Sequence, residues 1–193
     1  MRTRVPNTRP VRHPERGSAL VELALVLPFM LILLFAIIDL GQAVNTRLVL
    51  TNVCREGGSI GCRQQPLQES LTGVLVGSAR PLDLSGADGR VVVTRINAGN
   101  SADAPDPTIA AQYTVGGLAV SSGTGGGSST FGLTPAVHGH LVFDAEQGVA
   151  DLLSVTVVEV WFKYRPISPL SNFIPGLLTP DDGGLIMYSR CVF

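Results

Sequence analysis

The stretch ALVELALVLPFMLILLFAII, residues Ala19 to Ile38, contains twenty residues and a single charge, Glu22. A helix of that length rises about 30 Å, the thickness of a bilayer's hydrocarbon core. No second apolar run approaches spanning length. The best competitor, Val149–Phe162, is interrupted by Asp151 and Glu159. The chain therefore reads as a single-pass protein, and everything else in it is placed relative to this segment.

Charge falls unevenly on either side of it. Residues 1–17 carry Arg2, Arg4, Arg9, Arg12 and Arg16 against Glu15, whereas the rest of the chain carries a net negative charge within an overall −1. Arginine on the N-terminal side predicts a cytoplasmic head and a body on the far side of the membrane. The near-neutral total excludes a strongly cationic nucleic-acid binder. A secretory signal fits poorly: its apolar core is 7–15 residues and ends in an A-x-A-like site, but this run is longer and leads into Asp39-Leu40-Gly41-Gln42. A glutamate four residues inside a membrane segment costs several kcal/mol and marks a functional position by default. Pro28 removes a backbone donor and is expected to kink the helix.

The helical pattern continues beyond the membrane. Leu40, Val44 and Leu48 recur at i, i+4, i+8, predicting an amphipathic face leading to the body. Gly57-Gly58 reads as the stop, with Arg55 in the last turn. The expectation is one helix over about 19–57. Strand signals follow at Arg90–Ile96, Ala111–Val115, Leu152–Lys163 and Leu185–Phe193. Together these predict an α+β fold: a long hydrophobic N-terminal helix, then a small antiparallel sheet. The expected organisation is a basic leader (1–17), a transmembrane and extended helix (18–57) and a β-rich body (58–193) with a Gly/Ser loop at 121–130.

Catalytic constellations are missing. The Gly-rich stretch SSGTGGGSST lacks the lysine of a phosphate loop, since Lys163 is the one lysine of the chain. His138 and His140 are the nearest approach to a metal-ligand pair. At i, i+2 on a strand they would share a face, with Asp144 or Glu146 as a third ligand. Their Gly/Pro-bordered setting and the lack of a ligand pattern argue against a site. Asp181-Asp182 read as solvated turn residues. No cofactor and no enzymatic activity are expected. Three cysteines, Cys54, Cys62 and Cys191, leave one thiol over if the body is oxidised. Cys62–Cys191 is the favoured bridge because it closes a long loop, with Cys54–Cys62 the local alternative.

The segment Arg16-Gly17-Ser18-Ala19-Leu20-Val21-Glu22, continuing through Pro28, resembles the start of the TadE-like family, pilin-like proteins of tight-adherence (Tad/Flp) pili. The resemblance extends through Asp39-Leu40-Gly41-Gln42 and Asn52-Val53-Cys54-Arg55-Glu56-Gly57, over about residues 16–60. It implies scission by a prepilin peptidase between Gly17 and Ser18, leaving Glu22 as the fifth residue of the product. It also implies pairing of Glu22 with the new α-ammonium at Ser18 of a neighbouring subunit. Flp-type motifs usually place an aromatic after the glutamate; Leu23 stands there. The implied partners are the prepilin peptidase, other pilins or pseudopilins, an assembly platform and membrane lipid, with the body in the periplasm and no nucleic acid involved. The competing reading is an uncleaved single-pass binding or sensor protein with a ligand held by its body.

Overall fold

The computed structural model describes residues 15–64, 66–124, 129–167 and 184–193. Residues 1–14, part of the Gly/Ser stretch (125–128) and residues 168–183, with Asp181-Asp182, lie outside them.

Helix α1 runs from Glu15 to Gly61 and continues through Pro28 without interruption. Among the described residues there follow α2 (Ser70–Ser78), β1 (Gly89–Asn97), β2 (Thr108–Val115), the short α3 (Pro135–Gly139), β3 (Ser154–Tyr164) and β4 (Leu185–Val192). The strands form one antiparallel sheet in the order β2-β1-β3-β4. The α+β expectation is met, and each predicted strand is present within a few residues of its predicted limits. Neither α2 nor α3 was expected from the sequence.

The two central strands are buried on both faces, which is why β1 (RVVVTRI) and β3 (SVTVVEV) are dense in β-branched residues. One face presents Val91, Val93, Val158 and Val160 to α1 and α2, where they pack with Leu50, Val53, Leu71 and Leu75. A second cluster joins Ile96, Val155 and Val157 to Leu133 and Leu141 from the loop region around α3. Each fully buried Val or Leu contributes about 1.5–3 kcal/mol, so the body's stability rests on this double-sided sheet.

The helix meets the sheet along a stripe different from the expected one. Leu40, Val44 and Leu48 point away from the body and are exposed. The buried stripe is Asp39, Thr46, Leu50, Val53, Cys54, Gly57 and Gly61, with Ala43 partly buried. These positions recur at the same helical period. Their small and polar members carry no hydropathy signal.

Gly57-Gly58 does not stop the helix. A β-carbon on Gly57 would lie 2.8 Å from Leu75 Cδ1 and 3.2 Å from Val158 Cγ1; one on Gly58 would run into the Phe193 ring. On Gly61 it would lie 2.9 Å from Thr156 Cγ2. The glycines are there to let the backbone approach the sheet. The helix ends instead where Arg95, reaching from β1, donates to Gly61 O (3.1 Å) and Gln64 O (3.0 Å). A cation from the sheet thus supports the carbonyl end, the role the sequence assigned to Arg55.

Candidate functional site

The region that matters is α1 itself, from its head to its junction with the body. At the head, Gly17 has open space around it: a β-carbon added there would meet nothing within 4 Å. Ser18 and Glu22 are both exposed and stand one helical turn apart. The apolar run beyond them makes no use of the body. Leu20 is 68% exposed, Phe29 73% and Leu33 60%. This helix is long and apolar enough to cross a membrane, and none of its most apolar window is buried. So much apolar surface on one helix requires lipid or other helices around it.

The exposed run ends abruptly at Asp39, which is 4% exposed. Its carboxylate accepts from the Ile167 backbone N–H (3.2 Å), and its carbonyl accepts from the Tyr164 hydroxyl (3.0 Å). Burial, with Asp39 nearby, raises the Tyr164 phenol above its usual range. The chain leaving β3 is thereby tied to the helix at the point where the membrane-length run ends. Asp39 belonged to the motif read from the sequence, but its partners lie more than a hundred residues away and could not be inferred from it.

A second polar hub was not foreseen. Glu159, 1% exposed, sits on the sheet face away from α1. It accepts from the Ser122 hydroxyl, the Gly123 N–H (3.2 Å), the Thr124 hydroxyl (3.1 Å) and the Tyr188 hydroxyl (2.9 Å), with Arg190 Nε at 3.8 Å. Burial and the Glu159 carboxylate hold the Tyr188 phenol well above its ordinary value. A charge in the interior is tolerated when it is hydrogen-bonded in this way. Its effect is to pin the start of the Gly/Ser-rich loop onto the sheet. Glycine and serine composition suggested a flexible loop at 121–130; residues 122–124 are anchored by a glutamate from β3.

The histidines are not on a strand. His138 lies in α3, with Nε2 3.1 Å from Ser129 O; His140 caps that helix, with Nδ1 2.7 Å from Asp151 Oδ2. Residues two apart on a helix face different directions, so the shared face required for a metal pair is lost. Among the described residues no group of three or more His, Cys, Asp or Glu could hold a metal ion. A cleft of about 630 Å³ opens between β1, β2 and the 143–154 segment. Among its described lining residues Arg95 is the one that carries a charge, and its guanidinium is taken up by Gly61, Gln64 and Ser154.

The cysteines are all thiols. Because α1 continues to Gly61, Cys54 and Cys62 lie roughly 12 Å apart along the helix axis, beyond the ~7 Å Cα separation a disulfide tolerates. Cys62 is exposed, with its thiol on Ser59 O. Cys191, in contrast, packs against the buried cluster that contains Cys54. Helix geometry therefore parts Cys54 from Cys62, and packing sets Cys191 against the cluster to which Cys54 belongs.

Residues 17–59 match the family model described as TadE-like protein. That interval covers the apolar run, the Asp39 junction and all but the last residues of the helix face that packs on the sheet. No curated protein and no solved structure matches the chain.

Proposed function

We propose that this protein is a structural, non-enzymatic component of a tight-adherence-type pilus system, a minor pilin or pseudopilin acting through α1. The observation that carries the reading is the bare apolar half of α1, headed by Gly17-Ser18 and Glu22, within the segment that matches the TadE-like model. In this reading Arg16 and the leader stay cytoplasmic, the run from Ala19 to Ile38 spans the inner membrane, and the sheet body faces the periplasm.

The chemistry of the head follows from its charges. A prepilin peptidase cuts after Gly17, whose lack of a side chain gives the enzyme close access to the backbone. Cleavage creates an α-ammonium at Ser18 and removes the basic leader that held the head in the cytoplasm. Glu22 of a neighbouring subunit pairs with that ammonium. In a low-dielectric setting the two charges are stable only together, so the pair sets the register between helices. The helix then transfers from lipid to contacts with other pilin helices, exchanging one apolar environment for another. The body contributes surface recognition, with no step of covalent chemistry of its own.

The test is the N-terminal mass of the protein from its native membrane, with Gly17→Ala and Glu22→Ala variants beside it. The expected result is a chain beginning at Ser18, processing lost in Gly17→Ala, and processing retained but assembly impaired in Glu22→Ala. A wild-type chain that keeps its leader would overturn the processing step and leave a permanently anchored subunit.

A further inference from the structure

We propose that Cys54 and Cys191 form a disulfide that fastens the C-terminal edge strand β4 to helix α1, leaving Cys62 as a surface thiol. Three observations converge on this pair. The Cys54 thiol donates to Val158 O at 3.1 Å. Val158 is the residue on β3 directly opposite Cys191 on β4. Cys191 packs against the buried cluster to which Cys54 belongs.

The two cysteines also differ in a way that orders the reaction. Cys54 is completely buried, whereas Cys191 is partly accessible. Burial pushes the Cys54 thiol up, so it stays protonated and unreactive toward external reagents. Cys191 is the entry point. Its thiolate attacks a small-molecule or protein disulfide, forming a mixed disulfide and expelling one thiol. Cys54 then attacks the Cys191 sulfur, its proton passing to the departing thiolate, and expels the second thiol. The two protein thiols are oxidised, the reagent disulfide is reduced to two thiols, and both protons lost from the protein are taken up by the products.

Among the described residues strand β4 is an edge strand, held in the sheet by β3 alone, and the residue that follows it, Phe193, sits beside Gly58 of α1. A Cys54–Cys191 bond makes that attachment covalent. The helix that carries the membrane segment and the far end of the chain then move as one piece.

The experiment uses the full chain, purified reduced in detergent micelles and incubated with oxidised glutathione. Digestion without reduction should give one cross-linked peptide pair joining Cys54 to Cys191, lighter by the mass of two hydrogens, with Cys62 free or glutathionylated. Cys62→Ser should leave that cross-link intact. Cys191→Ser should leave Cys54 unmodified until the chain is denatured. A cross-link containing Cys62 overturns the proposal, as does a Cys62→Ser chain in which Cys54 and Cys191 are both alkylated after oxidation and denaturation. The pilus reading enters only through the oxidising compartment it supplies in the cell. Failure of this cross-link in vitro therefore leaves that reading standing, and failure of leader processing leaves the cross-link standing.

Discussion

The two halves of α1 are one continuous helix that solves two different physical problems. From Ala19 to Ile38 the side chains are mostly large, apolar and exposed on all sides. From Asp39 to Gly61 one face is buried, and that face is built from small or polar residues as much as from leucine and valine. The first half has no packing partner among the described residues, so any large apolar residue serves it. The second half must fit a specific sheet. Three glycines let its last turns come within contact distance of Val158, Thr156 and Phe193, while Asp39 fixes where the packed portion begins. Hydrophobicity marks the part of the helix that faces lipid or other helices, and complementarity of size marks the part that faces the body.

The sharpest way to break this contrast is to truncate a leucine in each half. Leu50→Ala empties a fully buried position and should cost the body about 2–5 kcal/mol. Leu31→Ala, in the exposed run, should leave the body's thermal unfolding in micelles unchanged. Equal losses would mean that the two halves are not energetically separate. Next in size is Arg95→Met, which withdraws donors from Gly61 O, Gln64 O and the Ser154 hydroxyl. We expect a loss of roughly 2–3 kcal/mol, with amide exchange accelerated first in the last turn of α1. An unchanged exchange rate there would remove Arg95 from its capping role. The smallest effect should come from paired glycine changes. Gly41→Ala meets no atom within 4 Å and should stabilise by about 0.5–1 kcal/mol through helix propensity. Gly57→Ala should lose that gain because its methyl meets Leu75 and Val158. Melting temperatures that rise equally for both would show that the helix does not sit close to the sheet for packing reasons.

Much of the fold was legible because its signals are local. The twenty-residue run with its single charge and the β-branched clusters are both signals carried by neighbouring residues. Short helices were less visible: α2 is nine residues long and includes Gly73 and Gly77, and α3 is five residues long. Their helicity follows from packing against neighbours more than from propensity. Gly57-Gly58 was misleading for a related reason. Glycine at a helix end and glycine at a close helix–sheet contact look the same in sequence, and the distinction appears only once Leu75, Val158 and Phe193 are in place. The leucine stripe at 40, 44 and 48 likewise announced an apolar face, but the periodicity does not say what that face meets.

The sequence by itself determined the membrane-length helix, its Gly17-Ser18…Glu22 head, the sheet-forming segments and the family-like pattern over about residues 16–60, because each is written in neighbouring residues. The tertiary structure alone decided which stripe of α1 packs inward, that Arg95 closes its end, that Glu159 holds Ser122 and Thr124, and that Cys54 lies beside Cys191. Those partners are tens to more than a hundred residues apart, and they meet because antiparallel pairing of β1, β3 and β4 sets a register to which the helix then fits.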